Sequence, residues 1–316
     1  MAGKIIAVAG ATGAQGGGVV RAILADKNGA FSVRALTRDP DSEKAKALAE
    51  LGAEVVRADL HDPASVRSAF EGAYGAFCVT FFWNHMSPDT EMAEAKSMAD
   101  AAKAARLQHV IWSTLEDTRK SVPLSDDRMP TLMGKYKVPH LDVKGEADAL
   151  FEATGVPVTY LLTSFYWENF IYFGLNPRKG ADGKLTLSLP MADRKLAGIA
   201  AEDIGRSAHA IFRKGPEATG GQRIGIASDH LTGTEIAAKF SKALGQEVAY
   251  NAVPYAVFRG LGFPGADDLG NMFQYFAEFA DSVTKTRDIT KTRALVPDLQ
   301  TLDQWLEQNK GKIPLE

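Results

Sequence analysis

Short apolar runs alternate with amphipathic stretches through the first half of the chain. Residues 5–9, 33–37, 54–57, 76–80 and 109–113 form runs of four or five mostly apolar positions with frequent Val and Ile. Runs of that length and type predict strands buried on both faces. Between them, residues 16–26, 42–51, 63–70 and 89–105 read as helices. In the first of these, Val20, Ile23 and Leu24 fall on one face at i, i+3 and i+4. A helix around 144–153 and a strand at 158–162 continue the rhythm. Strand and helix in alternation predict an α/β fold, a Rossmann-type doubly wound parallel sheet.

After Ser164 the alternation breaks. A loop with Gly and Pro covers 174–183, followed by a strand at 185–189, a helix at 201–213 and a strand at 222–227. Residues 228–232 read as a turn into a helix at 234–244. Residues 262–268 read as a turn before an amphipathic helix carrying Met272, Phe273 and Phe276. The pattern predicts a Rossmann domain over 1–164. It also predicts a smaller α+β lobe over 165–316, partly interleaved with the first domain, on the substrate or partner side.

Composition narrows the function classes. The 316 residues are 45% hydrophobic and 24% charged, which excludes a disordered or collagen-like chain. A net charge of −3 argues against direct nucleic-acid binding. The one cysteine, Cys78, allows no intrachain disulfide and no tetracysteine zinc site. It lies between Phe77 and Val79 and reads as a buried small hydrophobe. The six histidines show no H-x-x-x-H spacing, so no metal is expected. No apolar run approaches the ~20 residues of a membrane helix, and neither end carries a secretory or lipidation pattern. The expected location is cytoplasmic, without membrane association.

The most informative segment follows the first strand: Gly10-Ala11-Thr12-Gly13-Ala14-Gln15-Gly16, leading into a helix. Glycines at 10, 13 and 16 in a strand-to-helix turn match a dinucleotide site. Gly10 permits the tight exit from the strand. Gly13 lets a pyrophosphate approach the backbone, and its φ is expected to be positive. Gly16 allows close helix–sheet packing. The N–H groups and dipole of the new helix then favour phosphate.

The second strand ends at Thr37-Arg38, and Arg38 lies 22 residues beyond Gly16. NAD sites usually carry an acid there, whereas a guanidinium suits a 2′-phosphate, so NADP(H) is the expected cofactor. Two more strand ends fit the cleft. Asp59 and Leu60 follow the third strand and would flank the adenine. Thr80 and Phe81, with Phe82 and Trp83, follow the fourth and would cover the ribose and nicotinamide, with core packing as the alternative for the aromatic run.

These residues resemble the NmrA-like family of atypical short-chain dehydrogenase/reductases, and within it the NADPH-sensing branch. Val143-Lys144-Gly145-Glu146, Phe165-Tyr166-Trp167-Glu168-Asn169, Leu261-Gly262-Phe263-Pro264-Gly265 and Thr301-Leu302-Asp303-Gln304-Trp305-Leu306 extend the similarity over nearly the whole chain. The resemblance implies NADP(H) binding, with a role as redox sensor or as reductase.

Typical short-chain reductases pair Tyr-x-x-x-Lys with an upstream Ser. Here Lys144 is present, His140 stands in the tyrosine position, and Ser113 and Thr114 stand where the serine would be. The resemblance places Lys144 on the cofactor ribose. His140 is a candidate acid, and Tyr166, beside Phe165, is a candidate hydroxyl donor facing the nicotinamide. The expected partners are the dinucleotide together with a regulatory protein or a small-molecule substrate, and a second copy of the chain as a homodimer. The glycine loop and residues 38–44 and 115–138 are the segments expected to move.

Overall fold

The computed structural model describes residues 3–27, 29–181 and 183–315. A seven-stranded sheet contains β1 (Lys4–Val8), β2 (Phe31–Thr37), β3 (Glu54–Arg57), β4 (Gly75–Cys78), β5 (His109–Thr114) and β6 (Val158–Leu162), with Arg223–Gly225 beside β6. The spatial order is Arg223–Gly225, β6, β5, β4, β1, β2, β3. β1 to β6 pair in parallel, with Val8 opposite both Ala35 and Phe77. Strand order therefore reverses between β1 and β4. In open α/β sheets that reversal is where ligands bind, beyond the carboxyl ends of the strands.

β4 and β5 are buried along their whole length, as their unbroken runs predict. The helices are α1 (Ala14–Ala25), α2 (Glu43–Glu50), α3 (Pro63–Phe70), α4 (Pro88–Ala104) and α5 (Pro139–Glu152). Ser42, Asp62 and Ser87 cap α2, α3 and α4 by accepting from backbone N–H groups. α5 begins earlier than its apolar pattern indicates. Pro139 occupies the first turn, where its missing N–H costs nothing. The core beneath α5 includes Trp112 stacked on Phe151 at 4.5 Å.

The chain forms two compact units that interleave in sequence. One comprises Met1–Asp117, Val143–Leu162 and Ala201–Ile224; the other comprises Thr118–Asp142, Thr163–Ala200 and Gly225–Glu316. Helix Ala201–Lys214 belongs to the first because glycines let it cross α1 closely. A Cβ on Gly205 would stand 2.1 Å from the Gly18 carbonyl carbon.

The second unit holds two three-stranded sheets. One has Leu196–Ile199 between Asp229–Leu231 and Phe165–Tyr166; the other has Leu185–Leu189 between Val248–Ala252 and Arg178–Lys179. The expected turn at 228–232 is thus largely a strand, antiparallel to Leu196–Ile199. Its extended backbone is fixed by that partner. Trp305 donates to Glu168 at 2.9 Å, joining two of the segments that carry the family resemblance.

Within the segment 115–138, residues 118–138 are tied down by hydrogen bonds with buried side chains. The Asp142 carboxylate accepts from the N–H groups of Thr118, Lys137 and Val138 and from the Thr118 hydroxyl. The buried Lys137 ammonium donates to the carbonyls of Asp126 and Met129, and Asn271 donates to those of Pro130 and Lys137. No helix among the described residues is long and apolar enough to cross a membrane.

Candidate functional site

The glycine turn is built as a dinucleotide cradle requires. The Ala9 N–H donates to Phe77 O at 2.9 Å, fastening the turn to β4. Gly10 has φ +60°, a left-handed conformation that favours glycine. A Cβ on Gly16 would lie 2.3 Å from Gly10 O, so only glycine lets α1 start this close to the turn. Gly13 differs from expectation. Its φ is −92°, open to any residue, and the nearest atom to an added Cβ is Gly10 O at 3.2 Å. Its lack of a side chain keeps the outer, exposed face of the turn open.

α1 has no side-chain cap and no acidic residue in its first turn. Its leading N–H groups are left for an anion. Ala11 is buried and Thr12 half-buried, while Gly13 and Ala14 are exposed. Gln15 accepts from the Ser113 hydroxyl at 2.7 Å, so that hydroxyl is engaged by the turn itself. Thr114 Oγ1 donates to Asp148 at 2.6 Å beside the Trp112 indole N–H. That threonine is part of a buried polar knot.

Arg38 is exposed just past β2, and among the described residues it has no ion-pair partner. Its neighbour Asp39 accepts from the Asp41 N–H instead of pairing with it. Asp59 is half-buried, and one of its oxygens accepts from the His61 N–H. Leu60 packs against the core. Phe81 is 58% exposed, whereas Phe82 is buried edge-on against Trp83 and His85. Of that aromatic run, Phe82 belongs to the core. Cys78 is fully buried, and burial pushes its thiol up, away from reactivity.

A charged cluster that no sequence motif announces sits where β4 ends. Lys144 reaches Thr80 with its ammonium, 2.5 Å from Oγ1 and 3.2 Å from the carbonyl, and stands 2.7 Å from Glu91 Oε1. Thr80 Oγ1 donates to the same Glu91 oxygen at 2.6 Å. The three side chains close a ring of hydrogen bonds, and the Trp112 ring lies 5.5 Å from the ammonium. Glu91 is 0% exposed and Lys144 8%. Burial pushes the Glu91 carboxyl up, but the Lys144 charge, the nearby His85 and hydrogen bonds from Lys144 and Thr80 outweigh it, holding the pKa at about 2.

His85 lies behind Glu91. Its Nδ1 accepts from the Ser87 N–H at 3.0 Å, so the neutral ring carries its proton on Nε2, 3.2 Å from Glu91 Oε2. Glu91 beside it raises the His85 pKa against the effects of burial and Lys144. Glu94 completes the row, 2.8 Å from His61 Nε2, and burial raises its pKa. Donor atoms of His85, Glu91 and Glu94 lie within 4.8 Å of one another. His85 Nε2 and Glu91 Oε2 stand 3.2 Å apart without hydrogen-bond alignment, and the Lys144 ammonium already stands against Glu91.

The other expected residues lie in the second unit. His140 is 6% exposed; its Nδ1 stands 2.7 Å from Asp268 Oδ1, and its backbone N–H donates to Oδ2 at 3.2 Å. Tyr166 is half-buried with its hydroxyl 3.3 Å from Thr163 Oγ1. Phe165 is buried among Trp167, Phe170 and Phe273.

Sequence reasoning missed Glu91, His85 and Asp268. Glu91 left one signal: it shares the inward stripe of α4 with Ala95, Met98 and Ala102, at i+4, i+7 and i+11.

Strand order, glycine turn and the end of β2 define a Rossmann-like α/β fold. The chain belongs to the NmrA-like family, whose profile matches residues 2–306. It is 30% identical over 323 residues to the NmrA-like family domain-containing oxidoreductase FrzB of a Cladobotryum species, covering 92% of this chain and 91% of that one. It is 26% identical over 338 residues, 97% of each chain, to the oxidoreductase lnbB of Aspergillus flavus. Among solved structures it resembles NmrA, a negative transcriptional regulator, in complex with NADP: TM-score 0.79, 25% identity, 98% of this chain and 95% of that one. The Citrobacter triphenylmethane reductase complexed with NADP(H) shares the fold, with TM-score 0.75 and 18% identity over 96% of this chain and 99% of that one.

Proposed function

We propose that the protein binds NADP(H) and serves as a redox sensor responding to the NADPH/NADP+ ratio, as in the sensing branch of the family. The observation that carries this reading is the buried His140–Asp268 pair. His140 stands in the position of the reductase tyrosine, and the carboxylate engages both its ring and its backbone N–H. The glycine turn keeps the features a dinucleotide site needs, with Gly10 at φ +60° and Gly16 packed on Gly10 O. The uncapped start of α1 suits the pyrophosphate, and the exposed Arg38, without an ion-pair partner among the described residues, suits a 2′-phosphate. NmrA, at 25% identity, has been solved with NADP and with NAD.

Arg38→Ala is expected to reduce the preference for NADPH over NADH at least tenfold, since a charge-assisted hydrogen bond contributes about 1.5–3 kcal/mol. Calorimetry with both cofactors checks this. Equal affinities in the unmutated protein would overturn the assignment to Arg38.

A second reading is an NADPH-dependent reductase of a small aldehyde, ketone or quinone. It is favoured by Lys144, 2.7 Å from Glu91 at the end of β4, and by the curated relatives' description as oxidoreductases. A scan of NADPH oxidation over carbonyls and quinones separates the two. The sensor predicts tight NADP(H) binding without turnover, and His140→Ala leaving affinity almost unchanged. Turnover of order 1 s−1 or faster, lowered by roughly 10²–10⁴ in His140→Ala, would establish the reductase instead.

A further inference from the structure

We propose that Glu91 is the positioning residue for Lys144: it keeps the buried ammonium charged and aimed at the end of β4, where the cofactor crosses the sheet. The inference rests on the NADP(H)-binding reading and adds a residue to that site.

The placement comes from the sheet. β1 and β4 are neighbours across the reversal in strand order, and the turn after β1 touches the segment after β4. A Cβ on Gly10 would meet Val79 Cγ1 at 3.1 Å, and Thr80 is the next residue. Thr80 holds Lys144, so the ammonium lies at the strand ends where open α/β sheets take their ligands.

The chemistry comes from burial. An ammonium shielded from water loses its proton readily unless a counter-charge compensates. Trp112 on β5, Thr80 after β4, and Glu91 and His85 on and before α4 surround Lys144; of these, only Glu91 supplies a full negative charge against it. Glu91 is itself held by the Thr80 hydroxyl, which donates to Oε1 at 2.6 Å, with His85 3.2 Å from its other oxygen. The Ser87 backbone N–H selects the His85 tautomer, whose Nε2–H faces Glu91 Oε2. The closed ring of Thr80, Glu91 and Lys144 fixes the lysine's direction as well as its charge. Glu94 sits beside His85 at 3.8 Å and is engaged by His61, so its charge is directed away from Lys144.

The test is the pH profile of NADPH affinity in E91Q, which keeps the shape of the side chain and removes its charge. The 2′-phosphate titrates identically in every variant, so each profile is read relative to the wild type. The affinity of E91Q at pH 6.5 sets the reference for its profile, and a cooperative thermal transition shows that the variant is folded. By pH 9 that affinity, taken relative to wild type, should fall at least tenfold, as the unpaired ammonium loses its proton and a charge-assisted hydrogen bond with it.

Restoring a permanent cation should remove the new limb, so E91Q K144R should track the wild-type profile. An E91Q profile parallel to wild type through pH 9 would overturn the proposal. So would failure of the K144R rescue. Should E91Q not fold, the neutral pair E91Q K144M carries the test: it should bind NADPH at least tenfold more weakly than wild type, with a profile parallel to wild type. Wild-type affinity in that variant would overturn the proposal. Absence of NADPH binding by the unmutated protein at every pH would instead overturn the cofactor reading on which the proposal rests.

Discussion

Glu91→Ala is expected to destabilise the fold by about 3–5 kcal/mol, because it leaves the Lys144 ammonium buried without its counter-charge. Thr80 alone would remain to hold the lysine, and its hydroxyl would lose its acceptor. Urea denaturation of the two proteins at neutral pH measures the difference. A loss below about 1 kcal/mol, the range of an exposed pair, would show that water reaches the site freely.

The same pair predicts an acid limb in the wild type. The Glu91 pKa is depressed in the folded protein, to about 2 from an ordinary 4.5. Its contribution is therefore fully present above about pH 4.5 and is lost as pH falls towards 2. Glu91→Ala should flatten that part of the stability profile.

Gly13→Val should abolish NADPH binding and leave the fold nearly unchanged. The backbone at Gly13 is extended, and an added Cβ meets only Gly10 O at 3.2 Å. The valine would instead occupy the open face over the start of α1, where the pyrophosphate is proposed to lie. Gly16→Val is the contrasting control. Its Cβ would fall 2.3 Å from Gly10 O, so it should disrupt the turn and lower stability as well. Calorimetry with NADPH and thermal unfolding of both variants decide the matter. Retained binding in a folded Gly13→Val protein would place the dinucleotide elsewhere.

The parts of this protein legible in its sequence are those set by neighbours along the chain. Strands β1 to β6 follow from short apolar runs, and the turn at Gly10 to Gly16 follows from glycine spacing between a strand and a helix. The place of Arg38 could be read because it depends only on where β2 ends. The α5 start was missed because Pro139 and the Asp142 carboxylate determine it, not an apolar period. Asp229–Leu231 was missed because only its pairing with Leu196–Ile199 makes it a strand.

Charge pairing lies further from reach. Hydrophobic periodicity reports which face of a helix turns inward, but not which acid on one helix meets which base on another. Glu91 with Lys144, and Asp268 with His140 across 128 residues of sequence, are set by how elements pack. The sequence by itself determined the sheet, the glycine turn and the candidate lysine. The tertiary structure decided what stands against that lysine and that histidine. Buried charges have their energies fixed by the few ångströms around them, and those neighbours come from distant parts of the chain.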